Sequence, residues 1–287
     1  ILADDMGLGK TLQSLALICR LKDEGRLSAP ALVVLPASLL HNWAAETKKF
    51  TSLTSAFYHG NGRRLPANAI PGRKNGKASG GGNSSSSSLA KRARGDGGGG
   101  GVDLVFTTYG TVRSDAAQLK KVPWGVLLID EAQQIKNPSA AQTTAVKAVA
   151  AKAGLRLALS GTPVENKLSE LWSIFDFALP GYLGTLKEFS EEFSKPIERD
   201  KDQLVVDRLR RATKPFMLRR MKTDPSIAPD LPDKVVNTDI CSLTGAQAAL
   251  YEKVVEKTTE QLRLAKAAKA AGLPAPEPRV NSSSSYA

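Results

Sequence analysis

Short, unbroken apolar runs recur through the first 160 residues, at 31–35 (ALVVL), 103–108 (DLVFTT), 125–129 (GVLLI) and 156–159 (RLAL), with a weaker one at 56–59. Unbroken rather than alternating apolarity is what a strand buried on both faces needs, as in a parallel sheet covered by helices. Between the runs the apolar period becomes that of a helix. Leu12, Leu15, Ala16 and Cys19 share one face of a segment from Thr11 to about Leu21. Leu39, Leu40, Trp43, Thr47 and Phe50 repeat the pattern in a second segment, with Ser38 as its expected N-cap. Further helices are predicted up to about Lys121 and over Ser139–Ala151. Strands alternating with helices at this spacing make βαβ units, hence an α/β fold with a parallel sheet flanked by helices. In such sheets the side chains that do chemistry gather at the carboxyl ends of the strands.

After Pro163 the pattern is helical only. Leu168, Leu171, Trp172, Phe175 and Leu179 form one apolar stripe, Phe189 and Phe193 a second, and Leu204, Val205, Leu209 and Ala212 a third. A strand is predicted near Lys234–Cys241, and Thr244 with Gln247 reads as a capping box for a long helix ending near Gly272. The expected organisation is an α/β lobe over 1–165, a helical subdomain with its return segment over 166–243, a long helix over 244–272 and a tail over 273–287.

Composition changes this picture at one place. Residues 60–101 carry Gly and Ser runs and almost nothing apolar, so they cannot offset the entropy of ordering and are expected to be a disordered insertion. They hold eight Lys or Arg against the single acid Asp96, which is +7 of the chain's net charge of +12. The basic excess is thus concentrated in a linker-like segment and is weak grounds for a nucleic-acid surface elsewhere. Lys91, Arg92 and Arg94 fit a nuclear import signal or a DNA-clinging arm, and fit a solvated charge run more simply. No apolar run nears the roughly 18 residues that span a bilayer. Two cysteines, Cys19 and Cys241, lack the spacing of a zinc site or a disulfide framework, so a reducing compartment is the default. The chain opens on Ile1 inside an expected strand, which reads as a fragment of a longer protein.

The chemistry starts at 1–15, ILADDMGLGKTLQSL. Gly7 and Gly9 bracket a short loop that runs through Lys10 and Thr11 into a helix. Glycines let backbone N–H groups approach phosphate oxygens closely, and a helix start adds open donors and positive dipole. Lys10 would reach the outer phosphates of a nucleotide and the Thr11 hydroxyl would hold Mg²⁺. Asp4 stands where the strict phosphate-loop pattern has its first glycine, so a glycine-rich turn capping an ordinary helix competes with this reading. The strand 125–129 ends in Asp130 and Glu131. A nucleotide hydrolase needs one acid for the metal's coordination sphere and another to position and deprotonate water, and this pair supplies both in order. Two solvated acids at a strand end are the plainer alternative.

DDMGLGKT, VVLPASLLHNW, TTYGTV, LLIDEAQQIKN, LALSGTPVEN, ELWSIFDFALPGYLG, LRRMKTD and LPDK follow one another along the chain. Together they resemble the Swi/Snf-type DNA-dependent ATPases of helicase superfamily two. The resemblance implies the first RecA-like lobe of a P-loop NTPase with a helical protrusion, and ATP and Mg²⁺ as cofactors. It makes Asp5, Met6, Gly7, Leu8, Gly9, Lys10 and Thr11 the nucleotide loop, with Asp at position 4 a family trait. Thr11 and Asp130 would hold Mg²⁺. Lys10, Glu131, Gln133, Ser160 and Thr162 would be catalytic, with Gln133 in place of a more frequent His and Ser160-Gly161-Thr162 relaying nucleotide state.

For DNA, the resemblance implies backbone tracking by Pro36, Ser38, Asn42 and Trp43 and by Thr107, Thr108 and Tyr109. Arg219, Arg220 and Lys222 would touch DNA or a second lobe. Trp43 lies on an apolar helix face, which favours core packing. The implied partners are duplex DNA held without sequence preference, the family's second RecA-like lobe with its arginine finger, and a nucleosome or other DNA-bound protein. The implied compartment is the nucleus, and no membrane is involved. The segment that reads adenine and the second lobe lie outside these residues. Two rivals stay open: a strand-separating helicase, which a strand-displacement assay discriminates, and a non-catalytic binder, which intact Lys10, Asp130 and Glu131 disfavour.

Overall fold

The computed structural model describes residues 1–66, 69, 101–162, 167–224, 226–227, 229–230, 232 and 235–270. Residues 1–231 form one compact unit and 232–287 a second.

The first unit is built on a five-stranded, all-parallel sheet. Its strands are β1 (Ala31–Leu35), β2 (Ser55–Phe57), β3 (Leu104–Thr108), β4 (Val126–Ile129) and β5 (Leu155–Ala158), in the order β2-β3-β1-β4-β5. The central strands β1, β3 and β4 are enclosed at every position, as their unbroken apolar runs require. Each such Leu or Val contributes about 1.5–3 kcal/mol on burial, which far outweighs any local preference of these short segments. Helices α1 (Lys10–Asp23) and α2 (Leu40–Phe50) cover one face through Leu15, Ile18, Leu40 and Trp43. Helices α3 (Tyr109–Leu119) and α4 (Ala141–Ala150) cover the other through Val112, Leu119, Val146 and Val149.

Beyond β5 the chain's first residues extend the sheet. Leu2 bridges Leu159 on one side and Leu218 on the other, both in parallel. The helical segment holds α5 (Leu168–Ala178), α6 (Leu186–Phe189), α7 (Lys195–Glu198) and α8 (Gln203–Thr213). Helix α5 is buried on two sides. Ile174 and Phe177 join the core of the sheet, while Leu171, Trp172 and Phe175 pack with Phe189 and Leu209 in a separate cluster. The lobe and helical segment expected to divide near residue 165 therefore share α5 and form one body.

Several expectations change. Ser38 does not cap α2: it lies in a 3₁₀ turn, Ala37–Leu39, and no side chain caps either element. Leu204 is 81% exposed, in the first turn of α8 directly after its Asp202 cap, and does not join the apolar stripe. The insertion begins later than residue 60. The Arg63 guanidinium grips the Asp115 carboxylate at 2.6 and 2.8 Å, and Leu65 and Ala69 pack against the core of the sheet. Residues 67–68 and 70–100 of that segment, including Lys91, Arg92 and Arg94, lie outside the described residues. In the second unit, residues 235–244 have no regular structure where a strand was expected. The capping box does form: Thr244 N–H donates to Gln247 Oε1 at 3.0 Å and Gln247 N–H to Thr244 Oγ1 at 3.4 Å, opening α9 (Gly245–Ala270). The tail lies outside the described residues.

Candidate active site

The loop before α1 has the geometry its glycines anticipate. Gly7 and Gly9 have φ of 87° and 73°, values that side-chain-bearing residues rarely adopt. No side chain caps α1 and its first turn has no acid, so the positive helix end and its open N–H groups point into the loop. The Lys10 ammonium donates to the carbonyls of Asp4 at 2.7 Å and Asp5 at 3.3 Å. Asp4 itself is fully enclosed and ion-paired with Arg220. Burial pushes its carboxyl up, but the Arg220 hydrogen bonds outweigh this and hold it below the usual carboxylate range.

Across a cleft of about 380 Å³ stand the two acids that end β4; Gly9, Lys10 and Thr11 line one wall, Asn42 another, and Asp130 with Glu131 the third. Besides its N–H bond to the Val34 carbonyl at 3.0 Å, Asp130 is fixed at three further points. Its Oδ2 accepts from the Trp43 indole at 2.9 Å, its Oδ1 from the Glu131 N–H at 2.9 Å, and its carbonyl from the Tyr109 hydroxyl at 2.6 Å. Burial raises its pKa, with the Glu131 charge acting in the same sense; the Trp43 and Glu131 donors and the Lys10 charge oppose it. Glu131 takes a left-handed backbone at φ 53°, a conformation that costs a non-glycine residue roughly 1–2 kcal/mol. The Ala132 N–H bond to the Leu159 carbonyl at 2.8 Å keeps the turn on the end of β5.

Gln133 joins this turn to the next strand end. Its amide N–H donates to Glu131 Oε2 at 2.6 Å, and its amide oxygen accepts from the Ser160 hydroxyl at 3.0 Å. Ser160 Oγ in turn accepts from the Thr162 N–H at 3.1 Å. Five residues expected to act together, Lys10, Glu131, Gln133, Ser160 and Thr162, thus divide into a lysine on the loop and a linked chain opposite it.

The expected DNA-facing residues separate into two groups. Ser38, Asn42 and Arg219 are exposed and Pro36 is half-exposed. The side chains of Thr107, Thr108 and Tyr109 are turned inward. Thr107 Oγ1 donates to the Tyr58 carbonyl, Thr108 Oγ1 caps α3 by accepting from the Thr111 N–H, and Tyr109 reaches Asp130. The side chains of Thr107, Thr108 and Tyr109 are therefore not surface contacts, because each is enclosed with its polar atom already used. Arg220 is not one either, since Asp4 and Gln13 occupy its guanidinium. Trp43 is 2% exposed and packs edge-on against Phe106. What remains exposed beside Tyr109 is Gly110 at the start of α3.

Comparison with known proteins bears on the whole chain. Residues 1–273 match the SNF2-related domain. The chain belongs to that family. It is 38% identical to the Zorya protein ZorD of Escherichia coli over 95% of its own length, which is 25% of ZorD. It is 32% identical to the TATA-binding protein-associated factor MOT1 of Saccharomyces cerevisiae, covering 92% of this chain and 14% of that one. Among solved structures, the Sulfolobus solfataricus SWI2/SNF2 ATPase core in complex with dsDNA superposes with a TM-score of 0.62 at 39% identity, over 91% of this chain and 48% of that chain. The SNF2-related chain described here spans about a quarter or less of these curated relatives. They come from bacteria and fungi alike, so a nuclear compartment does not follow from membership. No helix among the described residues is long and apolar enough to cross a membrane.

Three contacts around the cleft and its loop escape sequence reasoning: Trp43 to Asp130, Tyr109 to Asp130, and Arg220 to Asp4. Only the last leaves a signal. An acid where a loop glycine is usual, on a segment entering the core, calls for a cationic partner.

Proposed function

We propose that this chain is the ATP-binding lobe of a DNA-dependent ATPase that moves along duplex DNA and remodels protein–DNA complexes. One observation carries the reading: a glycine-bracketed helix start bearing Lys10 and Thr11 faces Asp130 and Glu131 across one cleft. These residues suit Mg–ATP. Mg²⁺ is held by one or two carboxylates plus phosphates rather than by an all-protein cage, and among the described residues no group of three or more acids, His or Cys converges. Thr11 and Asp130 would hold the ion, which screens phosphate charge when bound. Lys10 would bind the β- and γ-phosphates, and the open N–H groups of α1 would take the phosphate oxygens. Glu131, aimed by Gln133, would orient the attacking water and accept its proton. The Gln133–Ser160–Thr162 chain offers a path by which the state of the cleft reaches the end of β5.

DNA would lie against Ser38, Asn42, Arg219 and the exposed start of α3, which suit phosphates and read no sequence. A nucleosome or another DNA-bound protein is the substrate this reading assigns to the whole protein. The test is Mg–ATP titration of residues 1–287. Lys10→Ala should weaken binding by at least about tenfold, in line with the loss of one charge-assisted contact. Turnover by these residues alone should stay near background, because family resemblance places the arginine finger on the second lobe and such fingers are worth about 10³–10⁵ in rate. Equal binding by parent and Lys10→Ala, or brisk turnover by the chain alone, would overturn the assignment.

A further inference from the structure

The segment leaving the helical region runs beside the chain's first residues and returns to the phosphate loop. Leu218 N–H donates to the Ile1 carbonyl at 3.0 Å, Ala3 N–H to the Leu218 carbonyl at 2.7 Å, and Asp5 N–H to the Arg220 carbonyl at 3.1 Å. Side chains complete the pairing. Asp4 Oδ1 accepts from the Arg220 N–H at 2.9 Å, and Asp5 Oδ2 from the Lys222 N–H at 3.0 Å.

Arg220 does more than neutralise a buried acid. Its Nε donates to Asp4 Oδ2 at 3.1 Å, Nη2 reaches the same oxygen, and Nη2 also donates to Gln13 Oε1 at 2.7 Å. Asp4 precedes the loop and Gln13 lies in the first turn of α1 that follows it, so one guanidinium holds both ends. Gln13 then donates to the Leu8 carbonyl inside the loop at 2.8 Å. On the other side, the carbonyl of Asp4 receives the Lys10 ammonium at 2.7 Å. A loop with two glycines at positive φ has many conformations to lose when it binds a ligand, and tying its ends removes part of that cost beforehand. Lys222 lies against the loop as well: a Cβ added to Gly7 would sit 2.9 Å from its ammonium.

We propose that Arg220 is a positioning residue of the nucleotide site, holding both ends of the phosphate loop through Asp4 and Gln13 and so aiming Lys10. The proposal rests on the nucleotide-binding reading above. It also gives the return segment of the helical region a direct mechanical connection to the loop. A lysine could not replace Arg220, because an ammonium cannot reach Asp4 and Gln13 together as a planar fork does.

The experiment measures Mg–ATP and Mg–ADP affinity of residues 1–287 by titration, well below each variant's melting temperature. Arg220→Met should bind Mg–ATP about tenfold more weakly, mid-range for members of one hydrogen-bond network. Arg220→Lys should recover little of this. The loss should be greater for Mg–ATP than for Mg–ADP, since Lys10 serves the outer phosphates. Combining Arg220→Met with Lys10→Ala should be no worse than Lys10→Ala alone. Leu209→Ala, which destabilises the helical cluster away from the loop, should bind like the parent. If Arg220→Met does not fold, Gln13→Ala removes one arm of the contact and should still weaken Mg–ATP. Parental affinity in folded Arg220→Met or Gln13→Ala, or additive losses with Lys10→Ala, would overturn the proposal. A parent that binds no Mg–ATP would instead overturn the nucleotide reading on which it stands.

Discussion

The carboxyl ends of β3 and β4, the two parallel strands that flank β1, both pass from apolar to polar residues at the same end of the sheet. They present opposite things to the solvent. After β4, Asp130 and Glu131 line the cleft as side chains, with the backbone strained at Glu131 to place them. Where β3 passes into α3, the side chains of Thr107, Thr108 and Tyr109 are spent inward, and the exposed feature is Gly110 at the start of α3. Catalysis needs a carboxylate at a chosen point, whereas sequence-blind phosphate contact needs only N–H groups and a dipole. Tyr109 ties the two strand ends together, since its hydroxyl donates to the Asp130 carbonyl. Burial and the nearby Asp130 and Glu131 charges push that hydroxyl's pKa far up, so it remains a donor throughout the working pH range.

The comparison is sharpest at Glu131. In the whole protein, Glu131→Gln should lower ATP turnover by about 10²–10⁴, the range for loss of a general base, and leave Mg–ATP binding in place. Single-turnover kinetics with parallel binding measurements check this. Parental turnover would remove Glu131 as the base and with it the idea that the β4 loop works through its side chains.

A smaller effect is expected where β3 passes into α3. Gly110→Asp puts a negative charge where a phosphate is expected to sit. It should weaken duplex binding by about two- to fivefold at low salt, matching roughly 0.3–1 kcal/mol for a charge at a helix terminus. Thr107→Val should leave duplex binding unchanged because its hydroxyl is enclosed. Fluorescence anisotropy across a salt series checks both. The reverse ranking would mean that the β3 side chains turn outward on DNA.

The smallest effect concerns the insertion. Replacing residues 71–100 with a short linker should change stability by less than about 1 kcal/mol, since closure entropy varies slowly with loop length. It should also flatten the salt dependence of duplex binding by removing basic residues. Arg63 must be kept. The Arg63 guanidinium beside Asp115 holds that carboxyl far below the usual range. A depressed carboxylate pKa contributes stability that is present above the unfolded value, near 4, and lost as pH falls toward the folded one. Arg63→Met should therefore lower the melting temperature at pH 7, with the gap to the parent closing below about pH 4. Thermal melts across that range check the sign.

The sequence by itself determined the parallel α/β layer, because unbroken apolar runs of strand length can be satisfied only by burial on both faces. It also determined the loop at Gly7–Thr11 and the acids at Asp130 and Glu131, because each pattern is local: the glycines, the helix start and the strand end lie within a few positions of the residues they place. What only the tertiary structure decided is which way each polar side chain turns and which distant partner it meets. Trp43 and Asp130 are 87 positions apart, and Arg220 and Asp4 are 216 apart. No local period encodes such pairs. Thr107, Tyr109 and Arg220 face DNA by the family resemblance, yet each is committed to a carbonyl or carboxylate brought beside it by the crossing of strands and the return of the helical segment. A buried polar atom takes whatever partner the fold supplies, and only the assembled fold says which one that is.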